Sequence, residues 1–230
     1  MPVTTCSTLA AAVLALALGA APSGAQDPRT RRAFEPAVAV TATATGFGTR
    51  FTGPDGDASY KNSVGLGLWG QLPLTRRTGL LAVATLSPLT AQRAEVAGGV
   101  ALYDDVISAS ADVGLGARLK PAVPVFFFVG GGLHAATHSA AIGVGERALE
   151  PQGAFAIGYD AVTRGRWGMR VAFVGHVVKP DDPGLPDVTP KSTAFDWTFH
   201  IGGRFSLSPP GSPASSPASS PATAPARGAP

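Results

Sequence analysis

Eight segments of this chain read as strands, five of them alternating apolar and polar side chains residue by residue, and that period restricts the available folds more than any other feature. It is clearest in 194–207. Phe195, Trp197, Phe199, Ile201, Phe205 and Leu207 share one parity there, while Ala194, Asp196, Thr198, His200, Gly202, Arg204 and Ser206 share the other. Successive side chains of a strand point to opposite faces, so this segment has one apolar face and one polar or small face. In 107–119, Ile107, Ala109, Ala111, Val113, Leu115, Ala117 and Leu119 alternate with Ser108, Ser110, Asp112, Gly114, Gly116 and Arg118. Segments 63–72, 154–161 and 167–178 behave alike, the last setting Trp167, Met169, Val171, Phe173 and Val177 against Gly168, Arg170 and His176. Three more are read as strands with no decided face: 37–48, 79–87 and 124–135, where Phe126, Phe127 and Phe128 leave the inward ring open.

The connections carry independent information. Short gaps at 73–78, 120–123 and 162–166 alternate with long ones at 49–61, 88–106, 136–152 and 179–193. Transmembrane barrels have an even strand number, short periplasmic turns and longer external loops. Eight strands with both ends periplasmic give that order. Charge divides the same way. Arg76, Arg77, Lys120, Arg164 and Arg166 fall on the short turns, and Asp55, Asp57, Glu95, Asp104, Asp105, Glu146, Glu150, Asp181, Asp182 and Asp187 on the long loops.

Alternation alone does not separate a membrane barrel from a soluble one with an apolar interior. Three features favour the membrane. Charged residues make up 14% of the chain, against roughly 25% in soluble domains, and the polar faces carry Gly and Ser where a wet surface would carry Lys and Glu. Several strands exceed the soluble norm of about five or six residues and match the roughly 9–11 of a tilted spanning strand. Aromatics gather near strand ends, with Phe205 and Trp167 toward the turns and Phe195, Trp197 and Phe173 toward the loops, as interfacial girdles require.

The eight strand segments, the short-turn/long-loop order and the aromatic-ended last strand from Phe195 to Phe205 resemble the small outer-membrane barrel family of the OmpA-transmembrane-domain and OmpX type. The resemblance covers about 36–207. It implies an eight-stranded antiparallel up-and-down transmembrane β-barrel, inserted by the barrel-assembly machinery and surrounded by outer-membrane lipid and lipopolysaccharide. The family usually ends at or near its last strand or continues into a folded periplasmic domain; here a low-complexity tail follows.

Four regions are expected. Residues 1–25 read as a cleaved signal peptide: Leu9 to Ala21 is apolar but too short for a spanning helix, and Ser23 and Ala25 suit cleavage before Gln26, although no Lys or Arg precedes the apolar run. Residues 26–35 form an N-terminal arm with Arg29, Arg31 and Arg32, read as solvated. The barrel occupies 36–207. Residues 208–230, a Pro/Ala/Ser repeat, cannot build a packed core and read as a disordered tail. The one cysteine, Cys6, lies in the signal peptide, so no disulfide is expected. A net charge of +3 without a basic cluster gives no nucleic-acid footprint.

Candidate chemistry is sparse, and no cofactor or metal is expected. Gly65-Leu66-Gly67-Leu68-Trp69-Gly70 fits GxGxxG literally, but it lies inside an alternating strand without the turn and helix that a dinucleotide site needs. Its glycines are read as making room inside a narrow barrel. His134, His138, His176 and His200 lack metal-ligand spacing. Lipid A-modifying barrels pair a His with a Ser two residues on, and His138-Ser139 and His200-Ile201-Gly202 both depart from that. The inward set Asp112, Arg118, Asp160, Arg170, Asp196, His200 and Arg204 is read as a salt-bridged filling of the lumen, because buried charges must pair and an eight-stranded lumen is narrow. Asp160 and Arg170 flank the turn near 165 almost evenly and are expected opposite each other. The reading is a monomeric, non-enzymatic barrel with a structural, surface-presentation or interaction role. The alternatives are a small channel or carrier for small or hydrophobic solutes, and a lipid-modifying enzyme built on His134, His138 and Ser139.

Overall fold

A computed structural model describes residues 34–53, 56–60, 62–95, 101–120, 123–140, 145–164, 166–182 and 188–208. The expected signal peptide, most of the arm and the tail beyond Ser208 lie outside the described residues. All regular structure is extended. The strands are β1 (Ala37–Gly46), β2 (Phe51–Gly53), β3 (Gly56–Tyr60), β4 (Ser63–Pro73), β5 (Thr78–Glu95), β6 (Ala101–Ala117), β7 (Val125–Ala140), β8 (Gly145–Arg164), β9 (Trp167–Val178), β10 (Thr189–Pro190) and β11 (Ala194–Ser206).

Eight of these close a barrel. β4, β5, β6, β7, β8, β9 and β11 each pair antiparallel with the next, and β1 joins β4 to β11. Closure leaves no sheet edge, so the ladder satisfies the backbone groups throughout the ring, which a span through lipid demands. The three short strands sit in the loops: β2 pairs with β3 and β10, and β3 with the outer end of β5. Gly56, at φ 122°, turns the β2–β3 hairpin in a conformation that side-chain-bearing residues rarely adopt.

The undecided faces are settled by packing. Phe126 and Phe128 point in and Phe127 points out; Leu81 and Val83 point in and Leu86 points out. In β1, Ala37, Ala39, Thr41, Thr43 and Thr45 line the interior. The exterior is an apolar band in which Val129 is 68% exposed and Leu115 61%, with Val64, Leu66, Val113, Phe155, Ile157, Phe199 and Ile201 beside them. A water-soluble monomer does not expose so large a continuous apolar surface. A closed barrel so clad spans a bacterial outer membrane, with short turns on the periplasmic side and loops outside. No helix among the described residues is long and apolar enough to cross; the strands cross instead.

Four strands outrun the alternating segments. β5, β6, β7 and β8 continue through much of what the sequence assigns to loops 88–106 and 136–152. Above the bilayer nothing requires an apolar face, so alternation stops while ladder pairing goes on, with register shifts between β5 and β6 past Ser87. At the other end the chain turns tightly. The Thr75 hydroxyl accepts from the amides of Arg77 (3.1 Å) and Thr78 (3.0 Å), and both ends of the barrel meet where the Leu207 amide donates to the Pro36 carbonyl (2.8 Å).

Candidate functional site

The lumen is filled in three layers. The layer nearest the periplasm is built on Asp160. The register puts Asp160 of β8 directly across from Arg170 of β9. Arg170 donates from Nε to Oδ1 (2.7 Å) and from Nη2 to Oδ2 (2.8 Å), a two-pronged grip. Arg118 Nη2 donates to Oδ2 at 2.8 Å, and Arg204 Nε approaches it at 3.5 Å. Arg204 Nη1 also reaches Glu35 Oε1 (2.9 Å), Arg170 Nη2 the Gln71 Oε1 (2.7 Å), and Gln71 Nε2 donates to the Glu35 carbonyl (2.9 Å). Every one of these side chains is buried. Phe34 and Glu35, which the sequence assigns to the arm, are buried here too. Phe34 lies beneath the Arg118 guanidinium at 5.2 Å, in space left by Gly79 and Gly116.

The middle layer is aromatic. Trp69, fully buried, meets Phe126 and Phe128 edge-on at 6.0 and 6.5 Å. Leu81, Val83 and Val174 complete it. The Arg170 guanidinium lies over Trp69 (5.0 Å) and Phe126 (4.7 Å), tying this layer to the one below. Trp69 Nε1 donates to His200 Nδ1 (3.1 Å), and the Thr41 hydroxyl lies at the same distance from that nitrogen. Gly67 makes the room: a Cβ there would run into Thr41 and His200.

The outer layer holds two further groups. Asp112 accepts from Gln152 Nε2 (2.8 Å) and His176 Nε2 (3.1 Å). Arg50, from the loop between β1 and β2, is fully buried and bridges Glu150 (2.8 Å from Nη1) and Asp196. Glu150 also accepts from His134 Nδ1 (2.7 Å), and Asp196 from the Gly48 amide (3.0 Å). The faces of Tyr60 and Phe47 flank the Arg50 guanidinium at 4.9 and 5.6 Å. Beside this group lies a cavity of about 20 Å³, lined by Thr45, Ser87, Ser108, Ser110, Thr198 and His134 among others.

The seven inward residues singled out from the sequence are thus divided: Asp160, Arg118, Arg170 and Arg204 meet in one cluster, His200 sits in the aromatic layer, and Asp112 and Asp196 belong to separate outer groups. Sequence reasoning missed Arg50, Glu150, Glu35 and Gln71. Gln71 alone lay in an alternating segment, on the inward parity. On the outside, Trp167 packs against Phe205 at 4.9 Å by the turns, Trp197 stacks on Phe173 at 6.2 Å, and Phe155 stacks on Phe195 at 6.0 Å. Phe173 stands mid-strand in β9, across from Phe199. His138 and Ser139 pair with Glu146 and Gly145 at the outer end of β7. His134 has its carboxylate in Glu150, but its Nε2 is bonded to no hydroxyl. Among the described residues no cluster of three or more His, Cys, Asp or Glu is arranged to hold a metal.

No protein-family model matches the chain, and no curated protein matches it. Solved structures do resemble its fold. The outer membrane protein OprG from Pseudomonas aeruginosa aligns over 76% of this chain and 97% of its own, at 13% identity and a TM-score of 0.49. The outer membrane protein AlkL, solved in DMPC bilayers, aligns over 80% and 92%, at 13% identity and a TM-score of 0.48. Neisserial surface protein A aligns over 75% and 100%, at 12% identity and a TM-score of 0.45.

Proposed function

We propose that this outer-membrane barrel is a closed scaffold that carries and presents its outer strands and loops, with a structural or interaction role and no transport through the lumen. One observation carries the reading: side chains fill the bore in successive layers, from Phe34 and Glu35 at the periplasmic end, through Trp69, Phe126 and Phe128, to Arg50 at the mouth. The apolar band has the outer-membrane lipids as its partner, the barrel-assembly machinery inserts it, and it works as a monomer. The reading includes no enzymatic role; among the described side chains, the Nε2 of the His134–Glu150 pair is bonded to no nucleophile. Planar-bilayer recording of the refolded mature chain tests the proposal. The expected trace is flat or shows rare brief events, and a steady large conductance would contradict it. Unchanged lipid A on mass spectrometry after overexpression is expected; an altered acyl pattern would revive the enzymatic reading.

A further inference from the structure

Each of the three short turns carries the same pairing: an exposed apolar side chain close in sequence to a cation. Leu74 (61% exposed) precedes the exposed Arg76 and Arg77, Leu119 (72%) precedes the exposed Lys120, and the half-buried Arg166 precedes Trp167 (64%). The apolar members continue the lipid-facing parity of their strands. Leu74 follows Leu66 in β4, Leu119 follows Val113 and Leu115 in β6, and Trp167 leads Met169 in β9. The cations therefore stand where the apolar band ends, at the depth of the lipid head groups. Arg166 is held there, its guanidinium over the Phe205 ring at 6.0 Å, and Phe205 packs on Trp167. Its Nε is buried without a hydrogen-bond partner. None of the four cations is paired with a carboxylate among the described residues. The described carboxylates at this end are Glu35 and Asp160, and both are buried in the lumen against Arg204, Arg118 and Arg170. The outer end differs, exposing Asp57, Asp181 and Asp182. Backbone bonds fix the collar: the Arg118 amide donates to the Arg77 carbonyl (2.8 Å), the Asp160 amide to Pro124 (3.0 Å) and the Ser206 amide to Arg166 (2.8 Å).

We propose that this collar is a docking surface for anionic phospholipids of the periplasmic leaflet. Arg76, Arg77, Lys120 and Arg166 meet the phosphodiester groups, and Leu74, Leu119 and Trp167 enter the neighbouring acyl boundary. Charge selects the lipid: an anionic head group offers these cations a net negative partner, and a zwitterionic one sets its own ammonium against them. The inference deepens the lipid partnership proposed for the barrel and rests on its membrane placement.

The test compares spin-labelled phosphatidylglycerol with spin-labelled phosphatidylcholine at the protein boundary, by electron paramagnetic resonance, with the full mature chain refolded into phosphatidylcholine vesicles. Wild type is expected to hold the anionic label about twofold or more over the zwitterionic one. Salt at about 1 M is expected to abolish that preference. Arg76→Gln, Arg77→Gln, Lys120→Gln and Arg166→Gln together are expected to abolish it too, while Lys179→Gln with Lys191→Gln at the outer end leaves it unchanged. No preference in wild type, a preference that survives the salt, or an undiminished one in the fourfold variant overturns the proposal. Loss of the preference to inorganic phosphate at matched ionic strength would assign the cations to a free anion and overturn the lipid assignment. Should the fourfold variant not fold, Arg76→Gln/Arg77→Gln and Lys120→Gln/Arg166→Gln replace it, each expected to lose about half of the preference; full retention in both counts against the collar. Flotation with the vesicles and a shifted unboiled gel band test the membrane placement separately. Wild type failing both overturns that placement, whereas a floated, folded barrel without lipid preference overturns the collar alone.

Discussion

Asp160 is the residue on which the periplasmic layer turns, because one carboxylate faces three guanidiniums from β9, the β6–β7 turn and β11. Replacing it with Asn keeps the shape and removes the charge, leaving buried arginines uncompensated. Breaking such a group costs about 3–5 kcal/mol. Urea unfolding of Asp160→Asn in lipid vesicles should show a loss of that size, and a change under about 1 kcal/mol would show that Arg170 finds other partners. Of the lumen residues, the Asp160–Arg170 pair was the most legible in sequence, since a tight turn fixes hairpin register. Arg50 and Glu150 were not legible: one sits between strands and the other lay in a stretch assigned to a loop, so no face could be assigned to them. Trp69 carried a misleading signal, because the glycines around it imitate a nucleotide motif. Gly67 is in fact the space that His200 and Thr41 occupy.

At the scale of the element, the alternating period locates the strands but not their outer ends. The pattern records the lipid, and where β5 to β8 rise above it the record stops while pairing continues. The two faces of a strand should therefore answer substitution differently. Gly67→Val forces a side chain into Thr41 and His200, overpacking worth about 1–3 kcal/mol. Gly203→Val on the outer face of β11 meets open space within 4 Å. The ratio of folded to unfolded band after refolding should fall for the first variant and hold for the second; equal losses would mean that the faces are assigned wrongly. Asp57 of β3 makes a pH-sensitive tie to β2 and to Lys191 beside β10. Hydrogen bonds from Lys191 (2.7 Å) and from Thr52 hold the Asp57 carboxyl below the ordinary carboxylate range. A depressed folded value means the tie is complete above the unfolded pKa of about 3.9 and is lost as pH falls through the lower folded value. Relative to the intrinsic rate at each pH, amide protection at 51–53, 56–57, 189 and 191 should fall at acid pH, and Asp57→Asn should lower it at neutral pH. Identical rates in the variant and wild type would dismiss the tie.

The whole molecule inverts a soluble protein: polar and charged groups sit inside, the apolar groups outside, and an aromatic disc divides two ionic layers. Composition foreshadowed this through low charge and glycine-rich inward faces. The arrangement of the layers was not foreshadowed, since it depends on Phe34, Glu35 and Arg50 entering the bore from beyond the strands. The central claim is that this inverted barrel resides in the outer membrane as a closed cylinder. The most direct measurement expresses the full chain in a Gram-negative host and runs the detergent-extracted outer-membrane fraction on a gel with and without boiling. The account predicts that the protein is in that fraction and that its unboiled band migrates apart from the boiled one. Recovery in the soluble periplasmic fraction, with no difference on boiling, would contradict it.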